Sequence, residues 1–260
     1  MGKKYLIIAI MSMFSAQQLL AHQIWFEKID KGYELVFGES ITDTDPLPFA
    51  KVDCIAGFTK NKWKDKLPIA TELYGEKEGA GHVTVSPFDT YNVLTAKMTN
   101  GYFVQVEDDT AERGYTYLKG ATLNDIDTTD KNVLKTLYST KFAKHITKWE
   151  DYLSAPIKQR LEIVPLYDVT DLKEGDYIVY TVLYEGKPIE NGENTKIYRS
   201  TDPSASREDN PKVQMDDFKF QYAMVGAPGL QTITVKHKVM LNDEGTSYIS
   251  IASVLTFYTK

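Results

Sequence analysis

The chain has 260 residues, a formal net charge of −6 at pH 7, 42% hydrophobic and 25% charged residues. That is ordinary globular composition, long enough for one large or two small domains. The acidic balance excludes nucleic acid and an anionic membrane surface as natural partners, and 17 tyrosines lean the chain toward strands.

Residues 1–21 have the three parts of an export leader. Lys3-Lys4 is the positive end, Tyr5 to Phe14 the apolar run, and Ser15 to Ala21 a more polar exit ending in a small residue. The apolar run is too short for a stable membrane anchor. Cleavage is expected after Ala21, with Ala16 as the rival site. No cysteine at the boundary offers a lipid anchor, and no later stretch is apolar enough for a span. The mature protein is therefore expected in the periplasm, beginning at His22. An N-terminal histidine offers an amine and an imidazole at one point, a chelating pair for Ni²⁺ or Cu²⁺.

Residues 22–37 predict two strands around the turn Asp30-Lys31-Gly32, with Trp25 as a core anchor. Gly38 to Pro48 is a loop made acidic by Glu39, Asp43 and Asp45, either a solvated turn or a lining for a cation. Short strands follow over 50–60 and 67–74, then a Gly-rich hinge at 76–81. His82 to Ser86 alternates strictly, which puts His82 on the polar side of a half-buried strand. Strands over 91–98, 101–106 and 115–118 continue the series, at the spacing of a β-sandwich. Cys54, the single cysteine, has no internal partner and is expected as a buried structural thiol, with a thiolate ligand as the alternative.

One helix is predicted, over about 130–149, from Val133, Leu134, Leu137, Tyr138, Phe142 and Ile146 at helical spacing. His145 beside this stripe is expected as a surface or packing histidine. The second half predicts strands at 161–165, 177–184, 231–240 and 248–257, with a hairpin turn at Glu185-Gly186-Lys187-Pro188 and a polar loop over 200–211. His237 shares a face with Ile233, Val235 and Val239, either as a buried hydrogen-bonded histidine or as a ligand at the rim of the core. The expected architecture is mainly β: a leader over 1–21, a β-sandwich lobe over 22–128, a helical connector over 129–156 and an Ig-like sandwich over 157–260.

No HExxH, CxxC, phosphate loop, dinucleotide fingerprint or nucleophile elbow appears. No enzyme chemistry is therefore assigned. With four histidines in all, a metal site has few possible nitrogen donors: His22 first, then His82 and His237, with Glu27 or Glu39 as oxygen donors.

The start Ala21-His22-x-x-Trp25-x-Glu27, with Val36-Phe37-Gly38-Glu39, Leu161-Glu162-Ile163-Val164-Pro165, Glu174-Gly175-Asp176, Gly186-Lys187-Pro188 and Pro228-Gly229, resembles a periplasmic β-sandwich family. Many of its members are nickel- or cobalt-uptake accessory proteins of the NikK-like kind. The sequence departs from the family pattern at Gln23, where an acid is common, and at Lys28, where proline is usual. The resemblance implies a two-lobed periplasmic β protein that binds Ni²⁺ or Co²⁺ and serves an inner- or outer-membrane metal transporter. It carries His22 over as the best ligand and His237 as the second; His82 rests on the strand reading alone. Two other readings compete: an Ig-like envelope module binding carbohydrate or protein, and a copper enzyme with an N-terminal histidine brace, which needs a second histidine nearby.

Overall fold

The computed structural model describes residues 22–30, 32–40, 43–59, 62–65, 69–73, 80–85, 91–189, 192–200, 214–215 and 220–260. The expected leader, most of the Gly-rich hinge, the polar loop over 201–211 and the side chain of His82 lie outside these residues. In chain order the strands begin with β1 (Gln23–Ile29), β2 (Gly32–Ser40), β3 (Asp43–Asp45), β4 (Leu47–Pro48), β5 (Val52–Thr59), β6 (Lys62–Asp65), β7 (Ile69–Leu73) and β8 (Ala80–Val85). Next come β9 (Val93–Glu107), β10 (Tyr115–Gly120), β11 (Val133–Ile146), β12 (Leu161–Pro165) and β13 (Tyr177–Tyr184). The last are β14 (Lys187–Pro188), β15 (Thr195–Ser200), β16 (Gln214–Met215), β17 (Gln221–Met224), β18 (Gly229–Met240) and β19 (Ser247–Thr259).

These strands make three sheets. The first runs β1-β2-β8-β4, with β3 on β2 and β7 on β8. The central sheet runs β15-β18-β19-β11-β9-β5-β6, with β10 on β9, and the third runs β12-β13-β17-β16, with β14 on β13. The fold is thus mainly β, as expected. The central sheet takes β5, β6, β9, β10 and β11 from the first half of the chain and β15, β18 and β19 from the second. The two expected lobes therefore share their middle layer.

The expected helix over 130–149 is a strand. β11 pairs antiparallel with β9 and parallel with β19, at the middle of the central sheet. Its last eight residues are all buried. A strand covered on both faces loses the apolar–polar alternation that marks strands in a sequence. What remains is a run whose apolar positions happen to fall at helical spacing. The β-branched and aromatic residues Val133, Thr136, Tyr138, Thr140, Phe142 and Ile146 favour the extended form, and distant β19 supplies one of its two ladders. The expected connector over 129–156 is thus a central strand followed by a 3₁₀ turn at Asp151–Ser154.

The two faces of β11 serve two cores. Ala143 packs with Ile24, Phe26, Leu35, Leu94 and Met98 between the first and central sheets. Phe142 and Ile146 pack with Leu161, Ile163, Tyr180 and Leu255 between the central and third sheets. Burial of this apolar area is the main stabilising term. Trp25 is buried as expected and donates its indole N–H to Glu27 Oε1 at 2.7 Å.

Two strands expected over 91–98 and 101–106 are one long strand, β9, with a bulge beside Asn100. Gly101 sits there at φ +89°, and a Cβ on it would meet the Gly120 carbonyl oxygen at 2.6 Å. Only glycine combines that conformation with so close an approach. Cys54, expected to be buried, is exposed. A register shift between Val52 and Cys54 in β5 turns the thiol toward a surface groove, while Ile55 beside it enters the core.

Candidate metal centre

His22 directly precedes β1 and is buried at 2% exposure. Its ring stacks on Phe37 of β2 with centroids 4.8 Å apart. Pairing of β1 with β2 brings the start of the first strand to the end of the second, where Gln23 faces Gly38. β3 folds back on the same end and pairs Asp45 with Phe37. Three short-range consequences of the β1-β2-β3 meander thus gather one imidazole and two carboxylates. His22 Nε2 is hydrogen-bonded to Asp45 Oδ2, and Nδ1 lies 3.8 Å from Glu39 Oε1. The segment expected as an acidic loop is largely strand, with Glu39 near the end of β2 and Asp45 at the end of β3, and both carboxylates stand at His22.

The chemistry of this arrangement follows from the two ring nitrogens. A carboxylate that accepts Nε2–H fixes the tautomer and leaves the lone pair on Nδ1, as carboxylates behind metal-bound histidines do. Nδ1 is also the nitrogen that closes a chelate ring with the amine of the same residue. A separation of 3.8 Å to Glu39 is too long for a hydrogen bond. It is within the span of two ligands that each stand about 2.0–2.2 Å from one ion. Behind the site, the Lys141 amine donates to the His22 carbonyl oxygen and ties the start of β1 to the central sheet. Burial, then the charges of Lys236 and Lys51, lower the Lys141 pKa to about 7.

Two further candidate histidines lie on β8 and β18. His82 lies in β8 with its backbone opposite Glu72 of β7. His237 is half-buried in β18, where Nδ1 is 2.9 Å from Thr195 Oγ1 and the ring lies 4.8 Å from that of Tyr184. Burial lowers its pKa, so the neutral imidazole is favoured. Its neighbours Val235 and Val239 pack into the core toward the third sheet. His22 sits over the opposite face of the central sheet, so the two do not share a site. Among the described residues, no group of three or more His, Cys, Asp and Glu side chains is placed to hold a metal ion. Among the described residues, the donors at hand are His22 and Glu39, with Asp45 behind them. His145, expected as a surface or packing histidine, is wholly buried between Tyr33 and Tyr258, with Nδ1 2.8 Å from Thr256 Oγ1.

A family model described as "Domain of unknown function (DUF4198)" matches residues 20–238. The chain belongs to this family. The DUF4198 match begins two residues before His22 and ends within β18, before β19 of the central sheet. No match to the chain is found among curated proteins. No helix among the described residues is long and apolar enough to cross a membrane.

A second concavity of this DUF4198 chain lies on the other face of the central sheet. It is an open groove of about 920 Å³ between β5, β9 and β11 and the segment 157–160. Phe49, Tyr138 and Phe142 give it apolar surface, and Lys97, Gln159 and Arg160 add polar groups. The sequence carried no signal for this groove, because its floor lies on the segment expected to be helical.

Proposed function

We propose that this protein is an exported, periplasmic transition-metal-binding protein that assists nickel or cobalt uptake and carries the ion without converting it. The observation that supports this reading is the His22 cluster. The residue expected to begin the mature chain is held by Asp45 through Nε2, with Nδ1 turned toward Glu39. With cleavage after Ala21, the His22 amine and Nδ1 would chelate the ion and Glu39 would add an oxygen. Imidazole and amine nitrogens suit Ni²⁺, Co²⁺ and Cu²⁺ better than Mg²⁺ or Ca²⁺. A membrane transporter would receive the ion.

Calorimetry with Ni²⁺ and Co²⁺ on processed protein tests this. His22→Ala abolishes binding, one residue added before His22 does the same, and Asp45→Asn weakens it about 10- to 100-fold. Unchanged affinity in His22→Ala would overturn the reading. The groove lined by Tyr138, Phe142 and Arg160 favours a second reading, an envelope module that binds carbohydrate. Saturable glycan binding lost in Tyr138→Ala, with no measurable metal affinity, would select it.

A further inference from the structure

The wall of the groove between β5, β9, β11 and the segment 157–160 is held in a strained form. The Glu162 carboxylate clasps this segment by accepting the backbone N–H groups of Ile157 and Gln159 at 2.8 and 3.2 Å. Lys158, between them, stands at φ +72°. In that left-handed region Cβ crowds the following carbonyl oxygen, and only glycine adopts it freely. Glu162 is itself paired with the buried Lys144 amine, so the clasp over-determines the turn. Backbone strain held in this way clusters at ligand clamps. A turn kept for its shape alone would carry glycine or asparagine. Here a lysine stands in it and lines the groove.

Two residues on, Arg160 Nε donates to Glu185 Oε1 at 3.0 Å and Nη2 to the Tyr184 hydroxyl at 2.9 Å. These bonds take two of the five guanidinium N–H donors and fix its plane, which leaves donors for a further acceptor. Lys97 pairs with Asp53 at 3.0 Å. Of the three cations that line the groove, Lys158 alone has no carboxylate partner among the described residues. The groove therefore carries one uncompensated positive charge beside a held guanidinium. Gln159 Nε2 donates to the Ala143 carbonyl oxygen at 2.9 Å, and its buried Oε1 has no hydrogen-bond partner. Such an acceptor is commonly completed by a water or a ligand donor. Phe49, Tyr138 and Phe142 supply the apolar side of the same groove.

We propose that the groove binds an acidic oligosaccharide, with a sugar carboxylate held by Lys158 and Arg160. The proposal rests on the reading of the groove as a carbohydrate site and adds the charge of its ligand. A sugar ring has apolar C–H faces and a rim of hydroxyl groups, which match aromatic surface beside separate donors and acceptors. Its hydroxyls supply the donor that Gln159 lacks. A carboxylate on the ring takes the remaining N–H groups of Arg160 and the Lys158 ammonium, in bonds stronger than neutral ones. At about 920 Å³ the groove stands near the top of the range for small-ligand sites, so it takes several linked units. It uses none of the His22 donors.

Calorimetry on the processed protein compares trigalacturonate with the neutral galactotriose of the same linkage, two sugars that differ in their carboxylates. Trigalacturonate should bind saturably and about tenfold more tightly than galactotriose, and raised salt should narrow that gap. Lys158→Gly removes the amine and suits the left-handed turn. It should weaken trigalacturonate binding about tenfold and leave galactotriose binding unchanged, whereas a merely structural loss would weaken both. Lys158→Arg should keep the preference for the acidic sugar. Lys158 is exposed, so these variants leave the core undisturbed. Equal binding of the two sugars, or a wild-type preference in Lys158→Gly, would overturn the acidic ligand while the carbohydrate reading stands. Saturable binding of neither sugar would overturn both.

Discussion

Lys141 and Lys144 stand three residues apart on β11, both buried, on opposite faces of the central sheet. Lys144 meets Glu162 of β12 at 2.8 Å, both side chains being 1% exposed. The Glu162 carboxylate also accepts the backbone N–H groups of Ile157 and Gln159, and the Lys144 amine reaches the Ile163 carbonyl at 3.4 Å. Lys141 donates to the His22 carbonyl, and the charges that act most on it are other lysines. Desolvation pulls both pKa values down, and only at Lys144 does a carboxylate push back. One lysine belongs to a satisfied network that locks the third sheet to the central one. The other is held at the His22 cluster by a backbone carbonyl. The difference separates a face whose buried lysine is paired with a carboxylate from one whose buried lysine is tied to a backbone carbonyl.

The largest effect should come from breaking the satisfied pair. Glu162→Gln leaves the Lys144 ammonium buried without a counter-charge and turns an N–H₂ group toward a backbone donor. The expected cost is about 3–5 kcal/mol, read from the midpoint of urea unfolding at constant slope. A change below about 1 kcal/mol would mean that the network is not what holds these layers.

The same strand shows how much the sequence disclosed. Antiparallel neighbours close in sequence were legible: the β1-β2 hairpin, the strand Tyr177–Tyr184 and the turn at Glu185-Gly186 all stand where patterning put them. The segment Gly38 to Pro48, expected as a loop, instead ends β2 and forms β3 and β4; its acids were visible in the sequence, but the pairing that brings Glu39 and Asp45 to His22 was not. β11 was not legible. Its two covered faces erase the period of two, and its partner β19 is about a hundred residues away in the chain. Reading it as a helix hid its ladder pairing, so the Lys144–Glu162 lock was missed. Cys54 was misread because a register shift cannot be seen in composition.

His145, the third buried base of this strand, sharpens the comparison through pH. Burial lowers its pKa from 6.5 to about 3. Between those values the unfolded chain takes up a proton that the folded imidazole refuses. Stability is therefore full above about pH 6.5 and falls as pH drops toward 3, by a few kcal/mol. His145→Phe keeps a ring between Tyr33 and Tyr258 and removes the titration, so its acid limb should be shallower than that of the wild type. Unfolding at a series of pH values measures this. Parallel limbs would show that the imidazole is reached by solvent protons without unfolding.

The smallest effect should come from Lys141→Met, and its smallness is the point. Methionine conserves the length and apolar stem of the side chain. The variant loses the hydrogen bond to the His22 carbonyl, about 1 kcal/mol, and gains from removing an amine that burial disfavours. Near neutral pH the two changes should nearly cancel in metal-free protein. Lys144→Met on the other face leaves the Glu162 carboxylate buried without its cation and should cost about 3–5 kcal/mol. pH then separates the two lysines further. Burial, then the charges of Lys236 and Lys51, lower the Lys141 pKa to about 7 in the fold from the ordinary lysine value of 10.5, so the unfolded chain binds the extra proton between those values. Its contribution makes the wild type more stable as pH rises from about 7 to about 10.5, and Lys141→Met should lack that rise. Equal losses for the two methionine variants at neutral pH would erase the distinction between the faces. It would mean that the Lys141 amine is as fully compensated as the one paired with Glu162.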